Sequence, residues 1–455
     1  MAIGRSESKD QIEWIMTCDL PKSPGHPFYL KLNDLLIESG FDRFCEELCA
    51  PYYADKMGRP SIPPGVYFRM LLVGYFEGID SQRGIAWRCS DSLAVREFLR
   101  LKVRQASPDH SSLTVVRKRL PVEVHEAVFT KVLSIAQEKG LLKGGTVAVD
   151  STTLEANAAM KSIVRKDTGE NWMEYVGRLA KEEGLENPTA EEVRKFDKKR
   201  KGKKVSNDDW ESSSDRDSRI TKMKNGDTHL AYKAEHAIDL ETEMILAAPI
   251  YQADQGDPET LIHTLYVAQE NLRDARSTQN IDEAVTDKGY HSADTVAGCT
   301  EAQIRTYMVE PKRKGRRTWT DKPEGQQHAV YANRRRCRRP KGKQLQRWRS
   351  ERVERSFAHV CETGGARRSW IRGLLEVTKR YLIQVAGHNL GILMRKLFGI
   401  GTPRSLQDSG RALFSSDPHC EGVHFALLCI LTRFGRILRP DWRHSDLPNL
   451  IQSAA

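Results

Sequence analysis

Hydrophobic positions in the first third of the chain recur at helical spacing. Leu30, Leu32, Leu35, Leu36, Phe41, Phe44 and Leu48 repeat at intervals that place them on one side of a helix, before Pro60-Ser-Ile-Pro-Pro64 interrupts the pattern. Residues 66–76 are apolar on every side, which predicts a helix buried among others. Ser81 is placed to cap a short helix carrying Ile85 and Trp87, and Asp91 or Ser92 to cap another carrying Val95, Phe98 and Leu99. The segment 111–120 carries Arg117, Lys118 and Arg119, and Pro121 opens a further helix through Ala136. Residues 26–140 thus read as an all-helical N-terminal domain behind a flexible arm, residues 1–25. Short helices joined by tight turns, one of them basic, suit either a helix-turn-helix-like DNA contact or a plain scaffold or dimerisation unit.

After Gly144-Gly145 the period shortens. Residues 146–150 form a short β run ending at Asp150, and 229–239 and 244–251 read as two strands joined around Glu241-Thr242-Glu243. Between them, 155–227 is polar and densely charged, and is expected to be an insertion, helical over 172–183 and flexible elsewhere. Asp257-Pro258 opens a helix with Leu261, Ile262, Leu265, Ala268 and Leu272 on one face. A strand over 281–287, a helix from Ser292, a strand over 305–309 and helices over 350–362 and 374–398 complete the pattern. The predicted class is α/β, with a catalytic domain over 141–398 and a C-terminal tail over 399–455 that holds an apolar patch at 425–431.

Composition changes this picture in one respect. The chain has 455 residues and a net charge of +11. Residues 312–352 hold 16 Lys and Arg against Asp321, Glu324 and Glu351, so one segment exceeds the charge of the whole chain. A block this basic, expected as an insertion over 312–349, is either a solvated linker or a surface for a polyanion such as DNA. Its Arg334, Arg335, Arg336, Arg338, Arg339, Lys341, Lys343 and Arg347 are the candidate phosphate contacts, and Arg367, Arg368 and Arg372 repeat the theme beyond it. Trp319, Tyr331 and Trp348 are interleaved there, as base-stacking platforms or as anchors to the core. The nine cysteines follow no zinc or disulfide spacing, and no apolar run is long enough for a membrane span or a secretory signal. A cytoplasmic protein with reduced thiols is expected.

Three acids stand out against this background. Asp150 ends the apolar run Thr-Val-Ala-Val-Asp, Asp287 ends Ile-Asp-Glu-Ala-Val-Thr-Asp beside the β-branched Val285, and Glu354 lies on the late helix. Spacings of 137 and 67 residues mean that only the fold can bring them together. Hard divalent cations prefer oxygen ligands, and two such ions roughly 3.5–4 Å apart hold the attacking and leaving oxygens of a phosphodiester. Gly289 allows close backbone approach beside Asp287, and Tyr290 and His291 lie at the same mouth. The element order fits an RNase H-like sheet, in which the first and fourth strands are neighbours.

Around these acids the chain resembles the DDE transposases of bacterial insertion sequences. The resemblance rests on Val149-Asp150-Ser-Thr-Thr-Leu-Glu-Ala-Asn-Ala158, Asp287-Lys-Gly-Tyr-His-Ser292 and Val353-Glu354-Arg-Ser-Phe357. His229-Leu-Ala-Tyr-Lys-Ala-Glu-His-Ala-Ile-Asp239, Gln252-Ala-Asp-Gln-Gly-Asp257 and Ala386-Gly-His-Asn-Leu390 extend it over roughly residues 25–398. The resemblance implies that Asp150, Asp287 and Glu354 hold two Mg²⁺ (or Mn²⁺) ions. It also implies cleavage at transposon ends, strand transfer to target DNA, and at least a homodimer on double-stranded DNA. One branch of these enzymes sets its glutamate in a Tyr-x2-Arg-x3-Glu-x6-Lys pattern. Neither Glu354 nor Glu351 satisfies it here, and Glu351 stays open as the third ligand. Two other readings remain: an RNase H-like nuclease or resolvase without strand transfer, and a non-catalytic DNA-binding derivative.

Overall fold

The computed structural model describes residues 25–404, apart from 55–57, 59–60, 103, 202–204, 224–225, 313–314 and 316. The expected arm up to residue 24, the tail from residue 405 with its apolar patch, and the lysine-rich residues 202–204 lie outside the described residues.

Among the described residues seven α-helices come first: α1 (Pro27–Glu38), α2 (Phe41–Cys49), α3 (Pro64–Glu77), α4 (Gln82–Asp91), α5 (Leu93–Phe98), α6 (His110–Arg119) and α7 (Val122–Glu138). Their starts follow local chemistry. Ser81 Oγ accepts the Gly84 amide at 3.0 Å, Ser92 Oγ the Val95 amide at 3.3 Å, and Asp109 the Ser111 amide at 2.8 Å. Ser92, not Asp91, is therefore the cap of α5. The apolar α3 is buried along nearly its whole length, and so is its one charge, Arg69. Every nitrogen of the Arg69 guanidinium has a partner: two bonds go to Asp42 at 2.7 and 2.9 Å, one to Asn33 and one to the Phe98 carbonyl. One buried cation thus ties four helices, α1, α2, α3 and α5. Trp87, expected on an apolar face, is instead 71% exposed, because Ile85, Ala86 and Cys89 form the buried face of α4.

The α/β half is built on β1 (Thr146–Glu155). A small outlying unit follows, with β2 (Ile163–Arg165), α8 (Trp172–Glu182), α9 (Ala190–Lys199) and β3 (Trp210–Ser212). Two capping boxes start its helices, and Trp172, Tyr175 and Trp210 pack together as its core. The expected insertion thus holds more ordered structure than its polarity predicts. The chain returns through β4 (Arg219–Lys222), β5 (Thr228–Asp239), β6 (Ile245–Ala247), β7 (Ile250–Gln252), α10 (Asp257–Asp274), β8 (Glu283–Thr286), α11 (Ala293–Glu301) and β9 (Arg305–Met308). It ends with α12 (Gln326–Arg338), α13 (Pro340–Phe357) and α14 (Leu374–Phe398). The basic block is thereby largely helical, and the helix expected from residue 350 begins at Pro340, a favourable first-turn position for proline. Ile262 of α10 is half exposed, unlike its neighbours Leu261 and Leu265.

The main sheet runs β4-β5-β1-β8-β9, with β6 and β7 also paired to β5. β1 is antiparallel to β5 and parallel to β8, and β8 is parallel to β9. The helix α14 is buried on nearly all sides, since it packs on α3 and α7 and also toward the sheet. Its Asn389 accepts from the Ile245 amide at 2.9 Å and donates to the Ile245 carbonyl at 2.8 Å, completing β6 where no strand follows. Its Tyr381 hydroxyl meets His236 Nε2 of β5 at 2.8 Å, while the other nitrogen of that ring meets Ser356 Oγ at 2.8 Å and the ring stacks on Phe357.

Buried histidines make the fold acid-sensitive. Burial pushes His125 down to about 4, near Tyr67 Oη at 3.2 Å, pushes His388 to about 3, and lowers His236 as well. The native state favours neutral imidazole, so the unfolded state binds more protons below pH 6.5. Stability is therefore fully present above pH 6.5 and falls as pH drops through that value toward 4. His125 alone contributes on the order of 3 kcal/mol to the loss. Urea unfolding across this range should show the decline, and it should be smaller in His125→Gln. A flat profile would show that these rings do not remain neutral.

Candidate active site

The site grows from the register of β1. Val147, Ala148 and Val149 pair in parallel with Ala284, Val285 and Thr286, and that pairing stops one residue before each aspartate. Asp150 and Asp287 therefore lie side by side where two parallel strands part. Asp150 is not the end of its own strand, as the sequence reading had it. β1 continues to Glu155 against β5, whose register pairs Asp150 with His236 and Ser151 with Glu235. Asp287 leaves the sheet and caps the short turn 288–290 by accepting the Lys288 amide at 2.6 Å.

A third carboxylate joins these two from a direction the sequence reading did not consider. Asp257, the first residue of α10, accepts from Ser151 Oγ at 3.1 Å and pairs with Lys233 Nζ at 2.9 Å. A Cβ at Gly289 would lie 2.8 Å from Asp257 Oδ2, so the turn after Asp287 closes on this carboxylate only because residue 289 is glycine. Behind it lies a buried ionic network. Lys233 also pairs with Glu235 at 3.0 Å and donates to Thr260 Oγ1 and the Gln255 carbonyl. Fully buried Glu235 accepts in addition from Thr260, Thr264 and, at 3.1 Å, from Tyr290 Oη. Tyr290 thus points into this network rather than out of the site mouth, and burial raises its phenol well above the usual range. His291 is buried as well. A trace of the network was visible in the sequence: Lys233, Glu235, His236 and Asp239 interrupt a strand in which every position from Leu230 on is buried.

The opposite wall is α13. Helical period turns Leu345, Arg349, Val353 and Ser356 toward the sheet, and Arg349 Nη1 meets Asp150 Oδ2 at 2.6 Å. Gln346 on the same side donates to the Thr286 carbonyl at 3.1 Å. Arg349 keeps a buried Nε with no hydrogen-bond partner. Burial raises the Asp150 carboxyl pKa, Arg349 and the Ser151 amide hold it down, and Asp287 and Asp257 push it up again. Glu354 faces elsewhere: it is exposed, and its contact is Ser350 Oγ at 3.5 Å. Glu351 is exposed and pairs with Arg355, which also holds Glu243 at 3.0 Å. The structure therefore joins Asp150 and Asp287 and leaves Glu354 apart from both. Among the described residues no three acidic, histidine or cysteine side chains converge tightly enough to hold a metal as they stand.

The basic candidates divide by what they touch. Arg334 grips Glu310 at 2.6 and 2.9 Å, Arg336 bonds Thr306, Lys341 pairs with Glu283 at 2.7 Å, and Arg367 is held by Glu362, Thr152 and the Thr153 carbonyl. Arg335, Arg338, Arg339, Lys343, Arg347, Arg368 and Arg372 are exposed. Trp319 and Trp348 pack against the core, and Trp319 Nε1 bonds the Tyr331 hydroxyl at 3.3 Å. Among the described residues no helix is long and apolar enough to cross a membrane.

Lys233 is the only cation bonded to both Glu235 and Asp257 among the described residues. Lys233→Met strands two carboxylates and should cost roughly 3–5 kcal/mol in urea unfolding. Adding Glu235→Gln to it should recover part of that loss, as a double-mutant cycle detects. An additive pair, or a neutral Lys233→Met, would show that the network does not support the site.

Two family models match the chain. A Transposase domain (DUF772) covers residues 20–119, the region of α1 to α6, and a Transposase DDE domain covers residues 277–394, which hold Asp287, Arg349, Glu354 and most of α14. Asp150 falls between the two matches. No curated protein and no solved structure matches the chain. A helical transposase domain ahead of a DDE domain in a mixed α/β chain supports a DDE transposase of an insertion sequence.

Proposed function

We propose that this transposase cuts DNA at the ends of its element and joins the freed 3′ end to target DNA, each by in-line displacement at phosphorus. The observation that carries the reading is the pair Asp150 and Asp287 at the parting ends of two parallel strands, with a cation already seated on one of them. The sheet order β4-β5-β1-β8-β9, with only β5 antiparallel to the central β1 along that path beside parallel β8 and β9, supports an RNase H-like catalytic domain.

The residues fit divalent metal ions. Asp150 and Asp287 are hard oxygen donors, and the Arg349 guanidinium occupies a coordinating oxygen of Asp150 as a cation would. Burial first, and the charges of Asp287 and Asp257 after it, raise the Asp150 carboxyl, and a bound cation would offset both. Asp150 and Asp287 would hold two Mg²⁺ or Mn²⁺ ions; Glu354, which faces away from both in this structure, would serve as the third ligand only once its part of α13 turns inward. Bound there, such ions would lower the pKa of water or a 3′-OH and neutralise phosphoryl charge. The chain's own part is placement. The Lys233–Asp257 pair keeps the Asp287 turn against Ser151, and Arg349, with its spare Nε donor, can turn from Asp150 to a phosphoryl oxygen. Exposed Arg335, Arg338, Arg339, Lys343 and Arg347 on α12 and α13 lead the DNA backbone to that point. Two element ends must be held together for transfer, so two copies act on one DNA complex.

With a labelled end duplex, plasmid target and Mg²⁺, the wild type should give joined products. Asp150→Asn and Asp287→Asn should each lower cleavage by roughly 100- to 1,000-fold or more while DNA binding survives. Glu354→Gln should match them, and Glu351→Gln should be mild. Retained cleavage in either aspartate variant would remove the site. Cleavage without joining would make the enzyme a nuclease.

A further inference from the structure

We infer that a groove between the helical domain and the loop after α13 seats the phosphate backbone of the element's end duplex, about five base pairs from the bond that is cut. The inference rests on the reading that Asp150 and Asp287 meet that bond.

The groove encloses about 780 Å³ and is lined by Arg83 of α4, Arg117 and Lys118 of α6, Arg372 of the loop and Arg380 of α14, against the acids Asp80 and Glu376. Both acids are already used. Asp80 Oδ2 accepts the Trp370 indole N–H at 2.7 Å, and Glu376 is shared by Arg117 at 2.7 Å and Lys379. Arg380 is spent on the Asp80 carbonyl at 2.8 Å. Arg83 and Lys118 remain exposed, with no ion pair among the described residues, and Arg372 is exposed with only its Nε committed, to the Asn157 carbonyl. Three cations therefore face solvent across a concave surface in which Glu376 is already ion-paired and Asp80 is the one acid without an ion pair among the described residues. A polyanion fits such a surface. The half-exposed indole of Trp370 forms part of the same wall.

Its position relative to the aspartates is set by β1. The loop is bonded to the far end of that strand: Glu155 donates to the Arg367 carbonyl at 2.9 Å, Ser369 donates to the Glu155 carbonyl at 2.8 Å, and Asn157 Nδ2 donates to the Trp370 carbonyl at 3.0 Å. Asp150 and Glu155 are five residues apart on one extended strand, about 17 Å at roughly 3.3 Å per residue. Five base-pair steps of duplex span about the same distance. The end duplex is assigned rather than the target, because it must be held before any free 3′-OH exists to attack the target.

Arg83→Gln with Lys118→Gln tests this, since both side chains are exposed and their loss spares the fold. The full chain is titrated in EDTA, by fluorescence anisotropy, with duplexes from the DNA flanking its reading frame. Losing two phosphate contacts should make the slope of log K against log salt shallower by about 1.8, and should weaken binding at least roughly tenfold near 0.1 M salt. Phosphate-ethylation interference should vanish about five base pairs from the cut and persist elsewhere. An unchanged slope, as expected if the groove takes an acidic protein, would overturn the inference, and so would a lost contact elsewhere on the duplex. Cleavage by the wild type is scored separately. A variant with the shallower slope, beside a wild type that never cuts, would keep the groove for DNA and reject the reaction.

Discussion

Parallel pairing between two short buried segments, 147–149 and 284–286, is the constraint on which the rest of the site depends. Each aspartate follows the last residue of that parallel pairing, so the register alone brings carboxylates 137 residues apart in sequence into one place. Parallel strands require a crossover connection, and here the crossover carries β5, the outlying unit and α10. A shift of one residue in this register would turn every side chain of β1 to the other face. The antiparallel partner prevents this, because β5 pairs with β1 over nine consecutive residues.

Two aspartates held this close repel each other, and the protein meets that cost with cations of its own. Arg349 lies on Asp150, and Lys233 lies between Asp257 and Glu235. The two cations differ in kind. Lys233 is buried inside a network in which both its acids have further partners, which suits a permanent structural charge. Arg349 is held by one ion pair and keeps a free donor, which suits a charge that can be exchanged. The basic segment shows the same division of labour: Arg336 and Lys341 fasten α12 and α13 to the sheet, Arg334 fastens α12 to the loop after β9, and their neighbours stay exposed.

Much of this was legible in the sequence, and the exceptions have physical causes. The helical N-terminal region and the order of strands and helices followed from apolar period, because those elements bury one face or all faces. Asp150 and Asp287 were legible because each follows a short segment that carries β-branched residues, Val147 and Val149 in one and Val285 and Thr286 in the other. The continuation of β1 through Ser151-Thr-Thr was hidden because those residues read as polar, although threonine suits a strand. The start of α13 at Pro340 was masked by its charge, since its apolar positions are sparse. Asp257 read as a helix start, and no local pattern reveals that its carboxylate turns toward Ser151 and Gly289. The direction of Glu354 depends on where α13 is anchored, and Gln346 and Arg349 provide those anchors through contacts remote in sequence.

The central claim is that Asp150 and Asp287 form a metal site in which Arg349 stands where a cation will sit. Crystals soaked in Mn²⁺ test it most directly, by anomalous diffraction at the manganese edge. The account predicts anomalous peaks bonded to both aspartates, with Arg349 displaced from Asp150. Mn²⁺ bound elsewhere, or none at these carboxylates with the Arg349–Asp150 pair intact, would contradict it.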